Sequence, residues 1–159
     1  MDYGEAVKVL RGVPLFAKLD PAKLKLIAFA SEFLTVKDGE ALFRAGDVAD
    51  SVYLVDRGEA VVTSNHEGRE VTITTLARHQ LFGEMAIFLD SPRTANVRAK
   101  GELGVLRIDA QMFLTLISES PETALGVMRI LSDKIVKAME NYEELDSKLQ
   151  GLKSSPPTR

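Results

Sequence analysis

The residues able to do chemistry gather in one stretch of the 159-residue chain, Phe82-Gly83-Glu84-Met85-Ala86-Ile87-Phe88-Leu89-Asp90-Ser91-Pro92-Arg93-Thr94-Ala95-Asn96-Val97. Its first half is rich in helix formers but too short for a core helix. A short helix start exposes backbone N–H groups and the positive end of a dipole, which together favour an anion. Gly83, just ahead of it, lets the backbone approach a ligand closely. Arg93 follows as a forked cation able to grip a phosphate with two hydrogen bonds. Glu84 is the odd member, because a carboxylate beside a phosphate repels it. It fits if it faces another part of the same ligand, as an acceptor for sugar hydroxyl groups. The chemistry is recognition, not turnover.

Taken singly, these residues have plainer readings. An arginine in a loop is usually a solvated charge, and a glutamate at a helix start is usually a dipole partner. Their contiguity favours the ligand site. Other classes fit worse. With no cysteine there is no disulfide, thiolate catalysis or Cys-bound metal. The two histidines, His66 and His79, have no metal-ligand spacing, and a cupin-type metalloenzyme needs a His and Glu cluster that is missing here. His66 sits in a hairpin turn and reads as surface; nothing nominates His79. The net charge of −3 argues against a broad basic face for DNA. No apolar run is long enough to span a membrane, and Asp2, Glu5, Lys8 and Arg11 leave no signal-peptide core. The expectation is a cytoplasmic, non-enzymatic binding protein that uses no metal and no cofactor and makes no membrane contact.

These residues need a frame. Residues 1–31 read as helical, with Asp20-Pro21 as a helix start and Leu24, Ile27 and Ala28 as an apolar face. Val13-Pro14-Leu15-Phe16 reads as an apolar bend. Residues 32–108 are short β-type segments between turns. Phe33-Leu34-Thr35-Val36 ends at Asp38-Gly39, Ala41-Leu42-Phe43 at Gly46-Asp47, and Ser51-Val52-Tyr53-Leu54-Val55 at Arg57-Gly58. Ala60-Val61-Val62-Thr63, Val71-Thr72-Ile73-Thr74, Ala95-Asn96-Val97-Arg98 and Val105-Leu106-Arg107-Ile108 complete the series. Within this zone Tyr53 alternates as a core residue. Residues 109–150 return to helix, capped at Asp109 and restarted at Ser120-Pro121. The fold class is α+β, mainly β: an antiparallel, jelly-roll-like β-roll with N-terminal helices, a short helix at Glu84 and a long C-terminal helix. One domain spans residues 1–150. Gly151 breaks the last helix, and 151–159 form a flexible tail.

The stretch from Phe82 to Val97 resembles the phosphate-binding cassette of cyclic nucleotide-binding domains. These occur in protein kinase A regulatory subunits, cyclic-nucleotide-gated channels and catabolite-activator-type regulators. The family pattern F-G-E-φ-A, with φ apolar, then a short variable stretch and P-R-(A/S/T)-A-x-V, is met by Phe82-Gly83-Glu84-Met85-Ala86 and Pro92-Arg93-Thr94-Ala95-Asn96-Val97. Gly39, Gly46, Tyr53 and Gly58 also fall where the family places turns and strands. The resemblance implies that Arg93 pairs with the exocyclic phosphate oxygens of cAMP or cGMP. Backbone amides around Ala86, Thr94 and Ala95 would complete the anion site, and Glu84 would accept from the ribose 2′-hydroxyl. Gly83 would make room for the sugar, and Thr94 would lie near the base. In some branches Thr at this position accompanies cGMP selectivity; in others it does not. The implied function is a cyclic-nucleotide sensor, with a ligand-free dimerising scaffold as the alternative.

Met128, Leu131, Ile135, Ala138, Tyr142, Leu145, Leu149 and Leu152 alternate spacings of three and four, an a/d seam. It suggests a homodimer through the last helix, on which Tyr142 is a candidate lid over the base. The nine residues after that helix hold no recognition helix, so the expected output is contact with an effector protein that the sequence does not name.

Overall fold

The computed structural model describes residues 3–154. In chain order the elements are α1 (Tyr3–Arg11), α2 (Pro14–Ala17), α3 (Pro21–Phe29), β1 (Ser31–Val36), β2 (Ala41–Phe43), β3 (Ser51–His66) and β4 (Arg69–Leu76). There follow β5 (Leu81–Phe82), α4 (Glu84–Leu89), β6 (Asn96–Asp109), α5 (Ala110–Glu119) and α6 (Pro121–Ser154). The chain divides into two compact units, Met1–Glu119 and Ser120–Arg159. The helix α5 goes with the strands in the first unit, and α6 stands in the second.

The first unit is a β-roll with helices before and after it. All strand pairs are antiparallel, in the order β1-β6-β3-β4, with β2 also on β6 and β5 also on β3. Leu54, Val55, Leu103 and Leu106 are fully buried within it. Each such leucine contributes about 1.5–3 kcal/mol by leaving water. In front of the roll, the Asp20 carboxylate accepts from the Ala22 N–H at 3.2 Å and starts α3. The expected bend at Val13 to Phe16 instead forms the short helix α2. Pro14 opens it, because its fixed φ suits the first helical position.

Two pairs of expected strands each merge into one. The turn signal at Arg57-Gly58 is a bulge inside β3, where the ladder to β6 shifts register between Val55 and Arg57 and again before Glu59. Gly58 has φ +74°, and a Cβ there would stand 2.2 Å from the Glu102 carbonyl oxygen, so only glycine lets the two backbones pass. The true reversal comes at Glu67-Gly68, with φ +49° and +78°, a two-residue hairpin turn joining His66 to Arg69. Likewise β6 runs unbroken from Asn96, carrying the end of the cassette directly into the sheet.

In the second unit, α6 opens with the Ser120 hydroxyl accepting from the Thr123 N–H at 3.3 Å. The helix continues through Gly151 to Ser154, which corrects the expected break. A lone helical glycine costs only about 1 kcal/mol relative to alanine, and a long helix absorbs that. Residues 155–159, the rest of the expected flexible tail, lie outside the described residues. No helix among the described residues is long and apolar enough to cross a membrane.

Candidate functional site

The cassette is positioned by strand pairing on both sides. Phe82 pairs with Tyr53 through β5, which delivers Gly83 to the edge of β3. Gly83 turns the chain with φ +82° and starts α4. Asp90, also left-handed at φ +50°, ends that helix, and the Ser91 N–H returns to the Ala86 carbonyl at 3.0 Å. The backbone of Arg93 is then pinned to the loop after β2. Its N–H donates to the Asp47 carbonyl at 2.8 Å, and its carbonyl accepts from the Gly46 N–H at 2.8 Å. Asn96, 1% exposed, ties the same loop down: its Oδ1 accepts from the Ala45 N–H at 2.9 Å, and its Nδ2 donates to the Thr63 hydroxyl at 3.2 Å.

On this frame the Arg93 side chain is buried, with 4% of the residue exposed. Nη1 donates to the Gly83 carbonyl at 2.7 Å, and Nη2 donates to the Ser51 carbonyl at 2.6 Å. The guanidinium carbon lies 4.3 Å from the Phe43 ring centroid and 5.6 Å from that of Tyr53. Nε is buried and has no hydrogen-bond partner. These partners are two carbonyls and two rings, all formally neutral. Burial accordingly pushes the arginine pKa down, opposed by Tyr53 and Asp50 nearby. A guanidinium still stays charged, and a buried charge without an opposite one is costly. Such a seat is chemically suited to an anion.

The structure brings most of the expected site residues together. Phe82, Gly83, Glu84, Met85 and Ala86 run from β5 into the first turns of α4, and Arg93, Thr94 and Ala95 lead into β6. Phe82, Glu84 and Ala86 are buried, Ala95 is half-buried, and Met85 and Thr94 are exposed. Glu84 is only 1% exposed on the opening turn of α4. Tyr142 belongs to the other unit, where it is exposed on α6. In this structure the room that Gly83 provides is taken by Arg93 and Tyr53: a Cβ would meet Nη1 at 2.9 Å and the Tyr53 ring at 3.3 Å.

Three residues escape the sequence reading. Phe43 and Tyr53 look like ordinary core positions, and Tyr53 is one, at 6% exposed, yet both face the guanidinium. Ser51 contributes through its backbone carbonyl, which carries no residue-type signal. His66 and His79 are exposed, and no group of three potential metal ligands assembles among the described residues. A separate concavity of about 360 Å³ is lined by Phe29, Glu32, Asp50, Ser51 and Arg107 among others. Its charges satisfy one another, with Arg107 reaching Glu32 at 2.7 Å and Asp50 at 3.1 Å. The Ser51 hydroxyl hydrogen bond, then Arg107, hold the Asp50 carboxyl below its ordinary range, partly offset by burial.

The profile of the cyclic nucleotide-binding domain matches residues 33–120. A cAMP-dependent protein kinase regulatory subunit of Blastocladiella emersonii is 35% identical over 109 residues, 68% of this chain and 27% of the relative. The corresponding subunit of Schizosaccharomyces pombe is 31% identical over 150 residues, 94% of this chain and 34% of its own. The chain thus spans only about a quarter to a third of these relatives. Among solved structures, the catabolite activator protein of Thermus thermophilus superposes with a TM-score of 0.70 at 27% identity, covering 84% of this chain and 63% of that one.

Proposed function

The chain belongs to the cyclic nucleotide-binding domain family, and from that premise we propose that its cassette binds a cyclic purine nucleotide, cAMP in first place, as a non-catalytic sensor. The observation that carries the reading is the buried Arg93 guanidinium, whose Nε lacks a hydrogen-bond partner and whose direct contacts, two backbone carbonyls and two rings, carry no negative charge. A phosphate supplies both the missing charge and the missing acceptor. Glu84, on the opening turn of α4, is the acceptor for the sugar hydroxyl. The backbone amides of Ala86, Thr94 and Ala95 complete the anion cradle, and Thr94 is the exposed hydroxyl beside the base. The preference for cAMP is supported by the names of the kinase regulatory relatives; cGMP is the competing ligand.

The output in this reading is protein contact, not DNA binding or turnover. The helix α6 leaves Met128, Ile135, Tyr142, Leu145, Leu149 and Leu152 exposed. Those positions suit a second copy of the same helix, giving a homodimer. Calorimetry with cAMP on the native protein and Arg93→Ala tests the ligand. The variant leaves a buried phosphate without its charge partner, a loss of about 2–5 kcal/mol, or thirty- to several-thousand-fold in affinity. Equal affinity in both proteins, or no heat with the native one, overturns the reading.

A further inference from the structure

We propose that Phe43 is a positioning residue of the anion site, its ring face holding the Arg93 guanidinium as a charged plate whose hydrogen bonding is incomplete. The inference rests on the nucleotide-binding reading above and adds to it the residue that keeps the cation available.

The ring is fixed before it meets the arginine. Phe43 ends β2 and pairs with Val97 of β6, the strand that begins three residues after Arg93. Its ring centroid stands 5.8 Å from that of Tyr53 and 6.4 Å from that of Phe82, tilted by 36° and 33°. Tyr53 and Phe82 are themselves stacked at 5.3 Å, so the three rings brace one another. The guanidinium carbon sits closest to Phe43, at 4.3 Å.

A carboxylate in that place would hold the arginine more tightly, but an incoming phosphate would then meet a fixed negative charge. A ring quadrupole attracts the cation without cancelling it. The two carbonyls at Gly83 and Ser51 fix the plane of the fork, and the ring fixes its height. The ligand therefore finds a cation already ordered, and less side-chain entropy is lost on binding.

The test replaces Phe43 by mono-, di- and trifluorophenylalanine, which drain the ring's negative face while nearly keeping its shape, and by leucine. Each protein is titrated with cAMP, in the native background and in Arg93→Gln. In the native background affinity should fall stepwise with fluorination, reaching about five- to thirtyfold for the last step and for Phe43→Leu. In the Arg93→Gln background the same series should leave the residual affinity unchanged, which a ring acting only through core packing would not do. Should Phe43→Leu fail to fold, the fluorinated series still decides. If native protein binds cAMP and the series is flat, or falls equally in both backgrounds, the role of Phe43 is wrong while the site stands. If native protein binds cGMP alone, the same series is read with cGMP; if it binds neither nucleotide, the nucleotide reading fails, and the inference with it.

Discussion

Gly83 and Arg93 meet across the cassette: the Gly83 carbonyl accepts from Arg93 Nη1 at 2.7 Å, and a Cβ at position 83 would stand 2.9 Å from that same nitrogen. The glycine thus provides both the acceptor that orients the guanidinium and the space it occupies. Its φ of +82° adds a second reason for glycine, since an L side chain is disfavoured there whatever the space.

Gly83→Ala should therefore lose stability and affinity together. The left-handed backbone costs about 1–2 kcal/mol with a Cβ, which lowers the unfolding midpoint by roughly 2–8 °C in a chain of this length. Displacing Nη1 should weaken cAMP binding beyond what that strain explains, by more than about tenfold. Thermal denaturation and calorimetry on the one variant separate the two effects. An alanine protein with native affinity would mean that the Gly83–Arg93 contact does not position the cation.

Arg93→Met should separate function from stability. The substitution removes a buried charge whose direct contacts are all neutral, which favours folding, and strips donors from the Gly83 and Ser51 carbonyls, which opposes it. The two terms nearly offset, so the ligand-free variant should unfold within about 1 kcal/mol of the native protein while losing cAMP binding. Chemical denaturation without nucleotide is the measurement. A loss of several kcal/mol would show that Arg93 is a structural residue first.

What was legible in the sequence was local. Gly83 before a short run of helix formers marks α4, Asp20-Pro21 marks α3, and Glu67-Gly68 marks a reversal, because each signal is a preference of a few adjacent residues. Gly58 misleads for the opposite reason. Its positive φ is real, but whether it turns the chain or bulges a strand is decided by Glu102, far away in sequence. The same holds at the site. Glu84 and Arg93 announce themselves by residue type, whereas the seat beneath Arg93 is built from the Ser51 carbonyl and the Phe43 ring, brought in by pairing with β6 and by the β2 register.

Stability should be level above about pH 5 and decline in acid, partly through Asp50. Its folded-state pKa lies below the ordinary 3.8 because Ser51 and Arg107 hydrogen-bond the carboxylate. A depressed carboxyl stabilises the fold above its unfolded pKa, and that contribution disappears as pH falls through the folded value. Glu70, held low by Arg98, acts in the same sense from the surface. Asp50→Asn should flatten the profile below pH 4 when urea midpoints are measured across the acid range. An unchanged slope would remove Asp50 from the account.

Leu145→Glu should dissolve the proposed dimer. The helix α6 has 34 residues, about 50 Å, and Leu145 is 59% exposed on it. Burying one leucine contributes about 1.5–3 kcal/mol, and a two-fold seam contains it twice, so the dissociation constant should rise by at least about a hundredfold. Sedimentation at micromolar concentration, with and without cAMP, reads this directly. A native protein that stays monomeric in both conditions overturns the dimer.

Thr94 should tune, not set, the choice of base. Its side chain is exposed at the end of the cassette, directly after the arginine proposed to receive the phosphate, where a hydroxyl can accept from the guanine 2-amino group that adenine lacks. One neutral hydrogen bond is worth about 0.5–1.5 kcal/mol net, so it shifts the preference by roughly three- to tenfold at most. That is less than the loss expected on removing Arg93 with either nucleotide, because both present the same phosphate. Thr94→Ala should accordingly leave cAMP affinity within about twofold and lower cGMP affinity by roughly three- to tenfold. Side-by-side titrations of the native and variant proteins give the ratio. If the cGMP-to-cAMP ratio does not move, Thr94 does not read the base, and selectivity must come from residues outside the cassette.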